Sequence, residues 1–366
     1  MNTTSRGARG RGHRVGVAAA CLVAATLIVA AGCSKNGSPG GPAPGAIAYL
    51  GLVANPDSTD PPDSLTSAIF TATATGATMW LFSPLWTEIE PDSGTYQLSN
   101  IRDPALILNA LGLPVYVNLR VIDTNQRSFP PYLAGVAMDA PRLEARVDAL
   151  VDTLLGALDG VNVIALSLGN EVDAYLAANP AEVPAWRALF VRERGRIHAR
   201  RPGLPVGCCT ISPVGNPRAW VGDTLNTGAD LRIYTYYPFL PGSDFQHLPP
   251  ATLEPDFAAM AARRPGPAAW ALQEVGYSSS PANGSSLAAQ AEFVRRFRSA
   301  VATSDRATLL FASWFLYSDL PQNTVDDLIA YYGVSSPGFA AYLKNLGLRR
   351  SDGTTKPGWD AWRGLP

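Results

Sequence analysis

The chain has 366 residues, of which 47% are hydrophobic and 16% are charged, and its formal net charge is -1. This length and composition allow a large buried core. The near-neutral charge provides no basic face of the kind that binds nucleic acid, so we expect no nucleic-acid partner.

The first 33 residues have the order of a secretory signal. Four arginines between residues 6 and 14 precede an uncharged apolar run over 15–31. The run ends in Ala-Gly-Cys33-Ser, which resembles the lipobox of bacterial lipoproteins, and the resemblance implies cleavage before Cys33 and a lipid on that cysteine. The alternative is an uncleaved anchor helix, but the run is short for a membrane span. Either way, we expect the domain to be extracytoplasmic, anchored to the bacterial cell envelope.

Residues 34–45 are rich in glycine, proline and serine and have too few apolar side chains to pack, so the composition predicts a flexible linker. The remaining stretch, 46–366, has a suitable length for one (β/α)8 barrel with loop insertions. Beyond the signal only two cysteines remain, the adjacent Cys208 and Cys209. They could form a strained vicinal disulfide, but buried free thiols on a strand are the preferred interpretation.

Short apolar runs alternate with segments of helical spacing along this domain. Eight runs predict strands: 47–53, 78–82, 114–121, 163–169, 205–211, 231–236, 268–273 and 309–315. Amphipathic helices are predicted over 143–158, 183–200 and 287–303. The alternation indicates parallel βα units, and eight strands favour an α/β fold closed as a (β/α)8 TIM barrel. The alternative, an open doubly wound sheet, lacks a glycine-rich phosphate turn after its first strand.

The loop after the second strand contains Trp86, then Ile89-Glu90-Pro91, then Gly94-Thr-Tyr96. This pattern resembles clan A of the glycoside hydrolases, a group of retaining (β/α)8 glycosidases that includes cellulase-like members. We count Trp86 among the candidate substrate-binding residues. Glu90 is assigned a structural role, because Pro91 and Gly94 mark a tight turn whose polar groups need partners.

The third strand alternates with period two, so Tyr116, Asn118 and Arg120 are expected to share one face inside the barrel. Asn118 and Arg120 are therefore candidate substrate-binding residues. Many clan A members carry an arginine on the second strand or a histidine on the third, and both are missing here. Arg120 could replace them by orienting a carboxylate through a bidentate pair. The alternative is an arginine that extends over the barrel rim.

The fourth strand is a continuous apolar run that stops abruptly at Asn170 and Glu171. Buried parallel strands have this composition, and the chemistry of a (β/α)8 barrel sits where its strands end. The resemblance to clan A implies that Asn170 contacts the 2-hydroxyl of the substrate and that Glu171 is the general acid/base.

The sixth strand ends in Tyr236-Tyr237-Pro238-Phe239, which resembles a segment of the arabinogalactan endo-β-1,4-galactanases, a clan A family. The resemblance implies that a tyrosine here donates a hydrogen bond to the nucleophile. Tyr237 is the first choice and Tyr236 the second, since an error of one residue in register turns every side chain to the other face. The alternative is that both tyrosines only pack.

The seventh strand leads into Glu274-Val-Gly-Tyr, a second carboxylate at a strand end, and the eighth ends near Trp314. Paired carboxylates are what glycoside hydrolysis requires. The resemblance implies that Glu274 is the nucleophile and that Trp314 forms a floor under the sugar. Segment 347–362 also resembles the closing helix of the clan.

Motifs of other chemistries, namely the zinc-protease helix, the serine nucleophile elbow and the P-loop, do not occur. His198 and His247 show no ligand partners in the sequence, so we expect no metal and no cofactor. The sequence thus predicts a monomeric, lipid-anchored retaining glycosidase that cleaves β-linked polysaccharide or oligosaccharide by double displacement. The alternative is a non-catalytic carbohydrate-binding lipoprotein on a degenerate barrel.

Overall fold

The computed structural model describes residues 46–55, 65–263 and 268–364. The predicted signal peptide, the linker and Cys33 lie outside these ranges. Within them, no helix has both the length and the apolar composition that crossing a membrane would require.

Strands and helices alternate along the described chain. The strands are β1 (Tyr49–Leu52), β2 (Trp80–Phe82), β3 (Val115–Asp123), β4 (Gln126–Arg127), β5 (Val163–Asn170), β6 (Val206–Gly207), β7 (Cys209–Ile211), β8 (Arg232–Tyr236), β9 (Trp270–Val275) and β10 (Leu309–Trp314). The helices are α1 (Leu65–Ala74), α2 (Trp86–Ile89), α3 (Ser99–Ala110), α4 (Pro141–Ala157), α5 (Val172–Ala178), α6 (Val183–Arg200), α7 (Ala219–Leu225), α8 (Leu253–Ala262), α9 (Leu287–Ala302), α10 (Gln322–Tyr332), α11 (Pro337–Leu343) and α12 (Pro357–Trp362).

The strands form a closed ring. One parallel run has the order β1-β10-β9-β8-β7, and another has the order β2-β3-β5-β6. A parallel bridge between Gly51 and Met79 joins β1 to β2, and β6 and β7 are two halves of one strand interrupted at Cys208. The eight predicted runs therefore are the eight strands of a (β/α)8 barrel, which confirms the predicted fold and excludes the open sheet. The short β4 pairs antiparallel with the end of β3 as a hairpin outside the ring.

Two apolar layers stabilise the barrel. Helices such as α4 bury one stripe, including Leu143, Leu150 and Leu154, against the outer face of the strands. Fully burying a leucine contributes about 1.5–3 kcal/mol. A smaller cluster that includes Tyr116 and Phe311 fills the barrel interior.

The adjacent cysteines fall into different layers, as expected for neighbours on a strand, whose side chains point to opposite faces. Cys208 packs in the outer layer and Cys209 in the inner cluster, and both are free and buried. Burial raises the pKa of the Cys208 thiol to about 12. The buried-thiol interpretation is confirmed, and the vicinal disulfide is not formed.

Helices α10 and α11 lie between the last barrel strand and α12, and they partly cover the carboxyl ends of the strands. The side-chain amide of Asn125 donates to the Tyr332 carbonyl at 2.7 Å, and that of Gln126 donates to the Tyr331 carbonyl at 3.1 Å. These bonds connect the end of α10 to the β3–β4 hairpin, so α10 is held across the mouth of the barrel.

Candidate active site

The turn after β5 directs one glutamate into the mouth of the barrel. Gly169 has φ +81°, and a Cβ there would lie 2.2 Å from the Val172 Cγ1 atom, so only glycine fits. Glu171 follows at φ 44° and ψ 39°, a left-handed conformation that is rare for a residue with a side chain. Such strain is found where the surrounding structure requires a particular side-chain direction.

The carboxyl group of Glu171 is held from two sides by hydroxyl groups. Thr235 Oγ1 donates to its Oε1 atom at 2.6 Å, and Thr124 Oγ1 donates to its Oε2 atom at 2.9 Å. Burial raises the pKa of Glu171, and the negative charge of Asp123 adds to the rise, while the two hydroxyl bonds oppose it. The protonated form of Glu171 is thus favoured relative to an exposed glutamate.

A second glutamate, Glu274, lies in β9. The Tyr237 hydroxyl donates to its Oε2 atom at 2.7 Å, and Gln273 Nε2 donates to its Oε1 atom at 3.3 Å. Gly276 makes room for the tyrosine, since a Cβ there would lie 2.6 Å from the Tyr237 ring. Burial first, and the charge of Glu171 second, raise the pKa of Glu274 to about 7, although the bonds from Tyr237 and Gln273 lower it.

Both glutamates line one cleft of about 820 Å³ at the carboxyl ends of the strands. Two neighbouring buried carboxyl groups resist being ionised together, because each negative charge disfavours the other. Ionisation of one member of the pair therefore makes the other harder to ionise. One protonated and one ionised carboxyl group is the state that acid-assisted displacement requires.

A third carboxylate, Asp123, is fully buried at the end of β3. Its Oδ1 atom accepts from Asn170 Nδ2 at 3.1 Å, and its Oδ2 atom accepts from Arg120 Nη1 at 3.1 Å and from the Tyr331 hydroxyl at 3.0 Å. Arg120 and Asn170 both line the cleft, as the sequence predicts. The carboxylate that Arg120 contacts, however, is Asp123 and not a glutamate of the pair, and a single guanidinium nitrogen makes the contact. The bidentate arrangement is therefore wrong.

A polar layer lies directly beneath the cleft, and the predicted binding residue Asn118 belongs to it. Asn118 is fully buried, donates to Ser83 at 3.1 Å and accepts from Ser167 at 2.8 Å. It does not line the cleft, so direct substrate contact is not supported. In the same layer Gln273 accepts from the Tyr116 hydroxyl at 2.6 Å and donates to Asn170 at 2.7 Å. The layer connects the barrel core to Asn170 and Glu274.

Trp86 was expected to bind substrate, but its side chain is fully buried away from the cleft. Its Nε1 atom donates to Glu90 at 2.9 Å, and its ring packs edge-on against Phe129 at 5.4 Å. Glu90 also accepts from the Gly94 amide at 2.8 Å and pairs with Arg146. The structural role predicted for Glu90 is confirmed, and Trp86 is one of its partners in fixing the loop.

Trp314 also lies outside the cleft, fully buried between Phe293 and Phe297 of α9 at ring distances of 6.0 and 5.8 Å. The floor predicted for Trp314 is therefore wrong. Its neighbour Phe315 lines the cleft instead. The pairing of β10 with β9 shifts twice before Trp314, and such irregularities break the alternation from which side-chain direction is inferred.

The two tyrosines at the end of β8 have different hydrogen-bond partners, and Tyr237, the first choice from the sequence, is the one whose hydroxyl contacts Glu274. Tyr236 borders the cleft, but its hydroxyl donates to Asp256 of α8 at 2.7 Å, and its ring packs against Phe257 and Phe293. Tyr236 is therefore no partner of Glu274.

One side of the cleft is apolar, and the sequence analysis missed it. We call this surface the apolar wall. Its members come from the loop after β8, from Phe315 and from the α10–α11 segment: Phe239, Phe245, Phe315, Leu328, Val334, Phe339 and Leu343. Phe239 belongs to the motif after the sixth strand, but the members in α10 and α11 could have been suggested only by the apolar spacing of that segment, which follows the last strand and contains no motif.

Neither histidine in the described residues has the environment of a catalytic base or a metal ligand. Burial lowers the pKa of His247 to about 4, and its Nε2 atom accepts from the Ser278 amide at 2.9 Å, so the ring is neutral. His198 lies partly exposed on α6 beside Asp230 at 2.8 Å. Across 46–55, 65–263 and 268–364, no group of three histidine, cysteine or acidic side chains could hold a metal ion.

No protein-family model matches the sequence, and no curated protein matches it at the sequence level. Solved structures do match the fold. An exo-β-1,4-mannosidase from Opitutaceae bacterium strain TAV5 superposes with TM-score 0.62 at 19% identity, over 87% of this chain and 59% of the mannosidase. This chain thus spans less than two thirds of that protein.

Two further structures are similar to this chain over a larger share of their own length. A GH5_18 protein from Bifidobacterium longum subsp. infantis matches with TM-score 0.63 at 18% identity, over 87% of this chain and 78% of the other. A GH5_18 protein from Streptomyces cattleya, solved with Manb1-4GlcNAc, matches with TM-score 0.64 at 15% identity, over 87% and 79%. At these identities the likeness shows the barrel fold and nothing finer.

Proposed function

We propose that the protein is a retaining glycoside hydrolase that cleaves β-linked polysaccharide or oligosaccharide. The observation that carries the proposal is the pair of partly buried carboxyl groups, Glu171 and Glu274, at the carboxyl ends of β5 and β9 in one cleft. The resemblance of the sequence motifs to clan A supports it. The names of the structural neighbours, which include a mannosidase, point in the same direction.

Glu274 is proposed as the nucleophile and Glu171 as the acid/base. The Tyr237 hydroxyl stabilises the ionised form of Glu274, because a donated hydrogen bond favours a carboxylate. Glu171 is bonded by threonine hydroxyls, which can rotate to accept a hydrogen bond from the protonated carboxyl group as well as donate one to the carboxylate. Its environment therefore tolerates both protonation states, as a residue that gives up and recovers a proton requires.

The reaction then has two displacements. In the first, an oxygen of Glu274 bonds to the anomeric carbon while the glycosidic bond breaks, and Glu171 transfers its proton to the leaving oxygen. In the second, water bonds to the same carbon, Glu171 takes the water's proton, and the bond to Glu274 breaks. Two inversions leave the anomeric configuration unchanged. This mechanism expects carboxyl groups about 5–5.5 Å apart.

The test is hydrolysis of a panel of β-linked polysaccharides and oligosaccharides by the purified 46–366 domain, followed by proton NMR. The β-anomer should appear first and then mutarotate. An α-anomer as first product would refute the double displacement. Matched Glu171→Gln and Glu274→Gln variants control for a contaminating glycosidase, since neither should turn over.

The other candidate is a non-catalytic carbohydrate-binding protein, favoured by the missing strand-end arginine and histidine of clan A. In the described structure, Arg120 lines the cleft and is paired with the buried Asp123. Binding of the same panel without any hydrolysis, in wild type as in the Glu274→Gln variant, would support this alternative over the enzyme.

We also propose that the mature protein is lipid-anchored through Cys33 in the cell envelope, on the basis of the basic, apolar, Ala-Gly-Cys order of the N-terminal sequence. Cells expressing the full chain should incorporate radioactive palmitate into it, and Cys33→Ala should remove the label. A labelled band of unchanged intensity in the variant would contradict the proposal. Cys208→Ala is the matched control, because that thiol is buried.

A further inference from the structure

The apolar wall is the feature of the cleft that the proposed mechanism does not use. Phe239, Phe245, Phe315, Leu328 and Val334 are each only partly buried, and all of them line the same cavity as the two glutamates. Large apolar side chains that remain partly exposed to water in a concave site are typical of a surface that a ligand covers.

The wall is preformed. The Phe245 ring lies 5.2 Å from Phe239 and 5.0 Å from Phe339, and Tyr342 packs against all three rings at 5.1–6.3 Å. These rings hold one another in place, so a ligand that binds there does not have to order them first.

This wall is poorly suited to a further sugar. A sugar ring presents hydroxyl groups around its edge, and each one that is buried without a hydrogen-bond partner costs roughly tenfold or more in affinity. Leucine, valine and phenylalanine side chains offer no such partners. Apart from the hydroxyl groups of Tyr237, Tyr332 and Tyr342, most polar side chains of the cleft lie at the ends of the barrel strands and in the loops after them, among them Ser83, Arg120, Thr124, Asn125 and Asn170. The cleft therefore has a polar side that suits a sugar and an apolar side that does not.

We propose that the apolar wall binds an alkyl or aryl group, so that the substrate is a β-glycoside with an apolar aglycone. The substrate class rests on the proposed glycosidase function, but the binding site does not. Tyr332 and Tyr342 both line the cleft, and the charges of Glu171 and Glu274 raise the pKa of both tyrosines, so they lie near the catalytic pair; Tyr342 also packs against the rings of the wall. An apolar group on the wall is therefore continuous with a sugar at Glu171 and Glu274.

The test uses the apolar part alone, so that neither the sugar nor hydrolysis matters. Calorimetry measures binding of 4-methylphenol, 4-propylphenol and 4-pentylphenol to the purified protein. Affinity should rise about twofold to fourfold per CH₂ group, the upper limit corresponding to about 0.8 kcal/mol for a fully buried CH₂. An affinity independent of chain length would overturn the inference.

Matched variants locate the site. Leu328 and its neighbour Ile329 in α10 both pack against the cluster that contains Phe339 and Tyr342, but only Leu328 lines the cleft. Leu328→Ala should flatten the chain-length dependence and Ile329→Ala should preserve it. Val334→Thr, nearly the same shape, should weaken the longest phenol several-fold without disturbing the fold. Equal effects of Leu328→Ala and Ile329→Ala would overturn the proposed site.

The outcome is separable from that of the proposed function. Phenols that bind with the expected dependence, in a protein that hydrolyses no glycoside of the panel, would leave the apolar site intact and refute the enzyme. A protein that hydrolyses the panel but binds every phenol alike would leave the glycosidase intact and refute the apolar site.

Discussion

The hydrogen bond from Tyr237 to Glu274 offers the sharpest test of the proposed roles, because the neighbouring residue provides its own control. Tyr237→Phe removes one hydroxyl and retains the ring that packs against Phe315 and Tyr342. Tyr236→Phe removes a hydroxyl that donates to another carboxylate, Asp256, at the same 2.7 Å. The two variants thus remove donors from two different carboxylates, Glu274 and Asp256.

The expected magnitude follows from burial. A hydrogen bond to a charged group is worth about 1.5–3 kcal/mol, which corresponds to a loss of about 10-fold to 150-fold in kcat/KM at neutral pH. Because one pKa unit is about 1.4 kcal/mol, the pKa of Glu274 should rise by about 1–2 units above its value of about 7. The nucleophile acts only when it is ionised, so activity falls as pH drops through this pKa.

The assay is therefore the pH dependence of kcat/KM with one aryl β-glycoside. In Tyr237→Phe the acid limb should move to higher pH, and activity at neutral pH should fall. In Tyr236→Phe the limb should stay in place, with less than about threefold loss, because its hydroxyl serves α8 and not the pair. Equal losses in the two variants, or an unmoved acid limb in Tyr237→Phe, would refute the assignment of Glu274 as nucleophile.

Two other predictions follow. Asp123→Asn should move the acid limb to lower pH, by up to about one unit, because the negative charge of Asp123 raises the pKa of both glutamates. A shift to higher pH in the same profile would contradict this. Added azide should restore turnover of an aryl β-glycoside by Glu171→Ala and yield the β-glycosyl azide, since azide attacks without the help of a general base. If azide instead restores turnover by Glu274→Ala and the product is the α-glycosyl azide, the two roles are reversed.

The barrel itself could be predicted from the sequence because buried parallel strands are near-continuous apolar runs, and all eight runs became strands. The carboxylates at the ends of the fourth and seventh runs could be placed for the same reason. Asp123 was missed because β3 continues two residues past the predicted end at Val121. No pattern in the run signals that extension, which depends on the pairing of Asp123 with Asn170 in β5.

Side-chain direction was less predictable than strand position. Trp314 and Phe315 are adjacent aromatic residues at a strand end, and the register shifts in β10 decide which one faces the cleft. The apolar wall depends on α10 and α11 crossing the barrel mouth, held by side-chain bonds from Asn125 and Gln126 to carbonyl groups of α10. Contacts between residues more than 200 positions apart leave no periodic signal in the sequence.

The left-handed conformation of Glu171 lowers the free energy of unfolding relative to the same fold with glycine at this position. A strained backbone of this kind costs on the order of 1–3 kcal/mol, and burying the carboxyl group adds to that cost. Glycine would adopt the same φ without strain, so Glu171→Gly should melt at a higher temperature than the wild type while losing all turnover. Selection for stability alone would therefore favour glycine at this position. A glutamate that destabilises the fold is consistent with the role of Glu171 in the proposed reaction.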